Sequence, residues 1–267
     1  MKNKIIITIL ALFFGVSMSY AWGPMGHDVV AAIAEQNLNK KAKKALNELL
    51  DGKSIVYYSS WMDNIQNSPY WKNGYDQTKT WHYANVDKGF TYQTMKKNEK
   101  GDVVSALNRL TWELTENYDN LTDSMRIDYV KMIIHMVGDM HCPAHIYYLG
   151  RNQNYKVKFG GGYIKPVKEM KIHTVWDEAA IQSSRIWSVS EWAEELDRKS
   201  AREIRSMVAG TPQDWLEDNA RRCLVQFDMA APGGNVAQDF VNEALPLIET
   251  QILYAGYRLA AILNGIF

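Results

Sequence analysis

His135 and Asp139 stand four residues apart in a segment with helical apolar periodicity. That spacing puts both side chains on one helix face, close enough to share a ligand. The run continues His135-Met136-Val137-Gly138-Asp139-Met140-His141-Cys142-Pro143-Ala144-His145. Pro143 stops the helix, and the turn it imposes lets His145 come back toward the same cleft. His173-Thr174-Val175-Trp176-Asp177 repeats the His-x-x-x-Asp spacing, while Asp63 and His82 each offer one more donor within Ser60-Trp61-Met62-Asp63 and Trp81-His82-Tyr83. Neutral imidazole and carboxylate together suit a divalent metal, and zinc accepts both. One such pair is ordinarily a surface ion pair or a cap. Two pairs, together with most of the other histidines among the six in the chain, point to a multinuclear metal site. His141, beside the Pro143 break, reads as a supporting or surface residue rather than a ligand.

The N-terminus adds a further donor set. Met1-Lys2-Asn3-Lys4 precedes an apolar stretch from Ile5 to Val16 and a small-x-small ending, Ser19-Tyr20-Ala21. This is the pattern of a secretory signal peptide over residues 1–21. The apolar stretch, about 12 residues, falls short of the roughly 20 that span a bilayer, so no membrane anchor is expected. Cleavage after Ala21 makes Trp22 the new terminus. Its free α-amine and carbonyl, with the imidazole of His27, can chelate one ion. The expected location is periplasmic or secreted.

Residues 22–267 are ample for one domain with a sizeable core. The whole chain carries 30 Lys+Arg against 30 Asp+Glu. A balance this even excludes counterion-release binding to long duplex DNA as the main mode. No stable protein partner is expected. Cys142 and Cys223 lie outside any Cys-x-x-Cys pair, which disfavours thiol redox chemistry and a zinc ribbon. A bridge between them and two separate buried thiols both fit the sequence.

The elements that must position these residues are mainly helical. Val29, Val30, Ile33 and Ala34 form one apolar face, and Ala42, Ala45, Leu46, Leu49 and Leu50 a second, ended by Asp51-Gly52. Helices are predicted over Val103–Tyr118, from an N-cap at Thr122 to Met140, and over Ser190–Val208, Gln213–Met229 and Val236–Leu263, the last bent at Pro246. Trp81 to Val86 reads as extended or loop-like. Tyr155 to Lys165, with Gly160-Gly161-Gly162 in its middle, reads as a small hairpin. The expected fold is a mainly α, multi-helix single domain with a minor β-hairpin, its loops inserting ligands into a cleft.

Together these residues carry a family resemblance. The motifs are Trp22 at the mature start, Gly26-His27, Ser60-Trp61-Met62-Asp63, Trp81-His82-Tyr83, Gly138-Asp139 with Pro143 and His145, and His173 with Trp176-Asp177. In this order the chain resembles the zinc-dependent single-strand nucleases and 3′-nucleotidases of fungi, plants and bacteria. That group shares a superfamily with bacterial zinc phospholipase C. The resemblance implies a phospholipase C/nuclease-like helical fold and three zinc ions. The first would take Asp63, His82, His135 and Asp139; the second His145, His173 and Asp177; the third the Trp22 amine and carbonyl, His27 and Asp139. Asp63 and Asp139 would be central to catalysis. Tyr83, beside His82, stands where the family often stacks an aromatic on the base, and Asn85 where some members read it with Asp.

The implied substrates are single-stranded DNA and RNA, cut to 5′-phosphorylated products, and 3′-nucleotides, which would lose their phosphate. Close zinc ions make water a nucleophile at neutral pH and stabilise charge on the phosphate. A splayed-out nucleotide enters a deep cleft more readily than a stacked pair and needs an aromatic platform. Three residues depart from the family pattern. Gln66 stands where fungal members often have Lys or Arg, which implies weaker transition-state stabilisation. Asn85 implies a different base preference. Cys142 replaces the usual Gln before Pro143. The alternative reading is a phospholipase C acting on phospholipid head groups; that branch has a longer Trp-to-His gap and tends to end its last motif in Glu rather than Asp177. A non-catalytic zinc- or nucleic-acid-binding protein would show a lost ligand, and none is lost.

Overall fold

The computed structural model describes residues 22–66, 68–69, 76–146 and 154–267. The signal-peptide segment lies outside them. Among the described residues no helix is long and apolar enough to cross a membrane.

Two long helices and a third form the frame. Helix α1 runs Pro24–Gln36, with Pro24 at its first turn, where proline's missing N–H is not needed. Helix α2 (Lys40–Leu49) follows, capped by Asn39, and then the short α3 (Trp61–Ile65). Helix α4 (Val103–Glu116) starts at a reciprocal cap between Asp102 and Ser105. Helix α5 (Asp123–His141) starts at Thr122, whose hydroxyl accepts from the Met125 amide at 3.2 Å. From Asp128 onward α5 is buried almost continuously, as befits a central helix rather than a two-faced surface one.

Beyond α5 the chain makes a three-stranded sheet in the order β2–β1–β3. Strand β1 (Lys156–Gly161) pairs antiparallel with β2 (Ile164–Lys171), and β3 (Asn235–Val236) adds in parallel to β1. The hairpin is as expected; the third strand comes from a distant segment with no strand signature. Strand β2 passes directly into α6 (Ile172–Thr174), a π-helical turn (Val175–Ala179) and α7 (Ala180–Ser184).

The helix expected over Ser190–Val208 is two helices, α8 (Val189–Leu196) and α9 (Ala201–Met207). Asp197 ends the first, its carboxylate held by Asn37 Nδ2 at 2.8 Å and Tyr257 OH at 2.6 Å. Ser200 and Glu203 then cap the second reciprocally, a signature visible in Ser-x-x-Glu. The expected Gln213–Met229 helix is likewise interrupted. Helix α10 (Pro212–Arg222) gives way to a 3-10 turn at Cys223–Val225 before α11 (Gln226–Met229). Helix α12 (Gln238–Ile266) continues through Pro246 as one element and packs along α1 and α5. Gly256 permits the close approach to α1: a Cβ there would lie 2.5 Å from Ile33 Cγ2.

Candidate metal centre

The core of α5 brings His135 and Asp139 to the middle of the domain, and the elements around it deliver the other donors. Both residues are wholly buried. Helix α3 supplies Asp63, the irregular Trp81–Val86 segment His82, α1 His27, the Pro143–His145 turn His145, and the α6–π segment His173 and Asp177. Donor atoms form three groups, each within 4.8 Å: His27, His135 and Asp139; Asp63, His82 and His135; His145, His173 and Asp177. Every side chain the sequence predicted as a ligand is therefore in one of them. Trp22 is fully buried alongside.

Asp139 spans the first two groups. Its Oδ1 is 3.1 Å from His27 Nε2, while its Oδ2 is 2.6 Å from His82 Nδ1 and 3.2 Å from His135 Nε2. His135 Nε2 also lies 3.5 Å from Asp63 Oδ1 and 3.2 Å from His82 Nδ1, and His82 Nδ1 is 3.8 Å from Asp63 Oδ1. A tetrahedral zinc with bonds of about 2.0–2.1 Å places its ligand atoms roughly 3.3 Å apart. Most of these separations bracket that value.

The remaining hydrogen bonds fix the rings. His135 Nδ1 donates to Ser59 O and His145 Nδ1 to His82 O, both at 2.7 Å. Each bond leaves Nε2 as the lone-pair nitrogen, the arrangement metal-bound histidines use. Buried His145 Nε2 has no hydrogen-bond partner. Burying such an atom unpaired costs about 1–3 kcal/mol, which a bound cation would offset. The residues fit a divalent metal.

Electrostatics agree. Burial alone would raise the Asp139 carboxyl, but His135 and His82 outweigh it and hold it well below the usual carboxylate range. Burial pushes the His135 imidazole down, yet Asp139 and Asp63 reverse this and raise it well above its ordinary value. Asp63 is lowered as well, burial being overcome by His135. The centre thus favours a positive charge. Burial lowers His27 and His145, keeping their nitrogens available as neutral donors.

Glycines make the space. A Cβ on Gly138 would stand 2.8 Å from His27 Nδ1, and one on Gly26 2.9 Å from Trp22 Cβ. The Gly23 amide donates to Asp177 O at 2.8 Å, tying the Trp22 segment to the third group.

Sequence reasoning missed two supporting residues, Gln66 and Cys142. Gln66 Nε2 donates to Asp63 Oδ1 at 2.8 Å, so the residue in place of a cation orients a donor carboxylate. The Cys142 and Cys223 thiols are both free and buried, and Cys142 Sγ donates to Asp177 Oδ1 at 3.1 Å; the bridge left open by the sequence is absent. His141 is buried rather than on the surface, its Nδ1 bonded to Val137 O at 2.7 Å and its Nε2 to Arg258 at 2.9 Å. Both ring nitrogens are thus engaged within the protein, and His141 belongs to none of the three donor groups. Tyr83 is half-buried and Asn85 exposed, next to His82.

A buried set of histidines and aspartates on a helical frame, with one carboxylate between two groups, defines a helical protein whose donor groups could form a multi-metal cleft. The family model "S1/P1 Nuclease" matches residues 22–267, and the chain belongs to that family, which is metal-dependent. Endonuclease 4 of Arabidopsis thaliana is 24% identical over 97% of this chain and 93% of its own length. Nuclease S1 of Aspergillus oryzae is 23% identical, covering 92% of each. Nuclease P1 of Penicillium citrinum is 23% identical over 92% of this chain and 97% of its own. This membership sets aside the phospholipase reading.

Proposed function

We propose that this chain is an exported, zinc-dependent phosphodiesterase that hydrolyses single-stranded DNA and RNA to 5′-phosphorylated products and removes the phosphate of 3′-nucleotides. The observation that carries the reading is Asp139, with one oxygen toward His27 and the other toward His82 and His135. The nuclease names of its relatives support the substrate class. Three zinc ions are assigned: one to Asp63, His82, His135 and Asp139, one to His145, His173 and Asp177, and one to Trp22, His27 and Asp139. Bound there, they would lower the pKa of water and neutralise charge on the phosphate.

The chain's own residues do the rest. Asp63 and Asp139 are held ionised by the surrounding imidazoles, and Ser59 O and His82 O hold His135 and His145 in the donor tautomer. Gln66 fixes one face of Asp63. Tyr83 offers its ring to a splayed base, and Asn85, exposed two residues on, reads the base edge. Removal of residues 1–21 frees the Trp22 amine; the burial of Trp22 against Gly26 and near Gly138 supports its place in the centre.

Digestion of a single-stranded oligonucleotide by processed protein, with products identified by mass spectrometry, tests the proposal. Release of 5′-phosphorylated nucleotides, stopped by chelator and restored by zinc, is the expected result. No cleavage by zinc-loaded protein would overturn it.

A further inference from the structure

The donors of the metal centre end at Asp177, yet the last third of the chain reaches the centre through the end of α5. A helix leaves its last four carbonyls without intrahelical partners. Pro143 has no N–H to offer them, and the chain turns away from the helix axis there. The Cys142 amide donates to Asp139 O at 3.0 Å. The next two carbonyls are taken by side chains from distant elements. Asn219 Nδ2 on α10 donates to Met140 O at 3.0 Å, and Gln251 Nε2 on α12 donates to His141 O at 2.9 Å.

Both residues are wholly buried. Asn219 Oδ1 accepts from Arg258 Nη1 at 3.3 Å, and the same nitrogen donates to His141 Nε2 at 2.9 Å. Arg258 stands seven residues after Gln251, two turns along one face of α12. Three buried polar side chains of α10 and α12 thus converge on the last turn of α5. Gln251 Oε1 has no hydrogen-bond partner among the described residues. Burying an amide oxygen in that way is unfavourable, and an apolar side chain of the same length would avoid it. Packing does not account for Gln251, whereas its bond to His141 O does.

These bonds lie between Asp139, which contacts His27, His82 and His135, and His145, which belongs with His173 and Asp177. Beyond Pro143 the chain is anchored on its other side. His145 Nδ1 donates to His82 O at 2.7 Å, and Ala84 and Ile146 form a parallel bridge. Residues 140–142 link the two anchored parts. Turning that link would carry His145 away from His173 and Asp177 while leaving Asp139 in place.

We propose that Gln251 and Asn219 are positioning residues of the metal centre. By holding His141 O and Met140 O they set the direction in which the chain leaves α5, and so the place of His145 relative to Asp139. Neither contributes a donor to the three groups; both act through the backbone of α5. The inference rests on the zinc-nuclease reading and assigns part of that centre's geometry to the C-terminal third of the chain.

The test compares wild type with Gln251→Met, which keeps the length of the side chain but loses the donor, and with Ile252→Val, a neighbouring core change that removes no hydrogen bond. Each protein is melted with and without zinc, and its zinc affinities are measured by competition with a chromogenic chelator. Partners that orient metal ligands are worth about 10–100-fold in affinity or activity. Gln251 acts at one remove, so Gln251→Met should weaken one zinc site about tenfold and lower kcat on a 3′-mononucleotide by about as much. Zinc should also raise its Tm by less than it raises that of wild type. Ile252→Val should lose Tm equally with and without zinc and keep the wild-type affinities. If Gln251→Met behaves as Ile252→Val does, the amide only caps a helix and the proposal is overturned. Should Gln251→Met not fold, Gln251→Asn, whose amide stands one methylene short of His141 O, is judged by the same criteria. If wild type binds zinc but cleaves neither oligo-dT nor a 3′-mononucleotide, the nuclease reading fails, and the zinc affinities alone decide the positioning role. A wild type that binds no zinc overturns both.

Discussion

The Cys142 thiol donates to one oxygen of Asp177 while the other faces His173: Sγ to Oδ1 is 3.1 Å and Oδ2 to Nε2 is 3.1 Å. Cys142 is fully buried at the C-terminal cap of α5, 35 residues from its acceptor in sequence. The thiol therefore selects which oxygen of Asp177 turns toward the third donor group. Partners that orient a metal ligand are typically worth about 10–100-fold in metal affinity. Cys142→Ala should lose about that much zinc affinity at one site, measured by competition with a chromogenic chelator, and Cys142→Ser, which keeps a donor, should recover most of it. Equal affinity in wild type and Cys142→Ala would reduce the thiol to a space filler.

Gly138 offers a sharper steric test. It sits one residue before Asp139 on α5, and an added Cβ would lie 2.8 Å from His27 Nδ1. His27 cannot withdraw easily, because it is buried and its ring stacks on His135 at 4.1 Å. Gly138→Ala should therefore displace His27, lower zinc content by one ion per chain, and destabilise the fold by about 1–3 kcal/mol, the usual range for overpacking. Elemental analysis beside a thermal melt reads both. Full zinc content would mean that α1 and α5 separate enough to absorb the methyl group.

Metal removal should be costly to the whole domain. The donor groups join α1, α3, α5 and the α6–π segment, so a bound ion crosslinks elements far apart in the chain. A ligand present at about 1,000 times its Kd stabilises the fold by about 4 kcal/mol. For a domain of this size each kcal/mol moves Tm by roughly 2–4 °C. Chelator should lower Tm by on the order of 10 °C, and added zinc should restore it. A melt indifferent to chelator would count against a metal centre.

How far the sequence anticipated this arrangement depends on the range of each interaction. The His-x-x-x-Asp spacings, the Thr122 cap and the Pro143 stop are local, and the structure keeps all three. The break after Leu196 was also written locally, in Ser200-x-x-Glu203, but continuous helical periodicity masked it. Contacts set by tertiary packing were not legible. Gln66 reads as a missing cation until its amide is seen on Asp63. Cys142 and Asp177 meet only because the chain returns through the sheet and the π-helical turn, and β3 is two residues recruited by β1.

His141 supplies the last prediction. Its Nδ1 donates to Val137 O, and its Nε2 accepts from Arg258, itself held by Asp218, Asn219 and Met207 O. Protonating Nε2 would set two donors against each other in a buried site. Burial is the main cause that lowers the His141 pKa well below its ordinary value, with the charges of Arg258 and Arg222 adding to it. In the unfolded chain the same imidazole titrates near about 6.5. The unfolded state thus binds a proton that the folded state refuses, so stability is full above that pH and declines as pH falls toward the depressed folded value. His141→Gln removes the titration while keeping a polar side chain for Arg258. At pH 7 the variant should be less stable than wild type, and the gap should narrow between about pH 6.5 and 5 as wild type alone loses this contribution. Urea unfolding of both proteins across that range measures it. A gap constant with pH would show that His141 takes up its proton without unfolding.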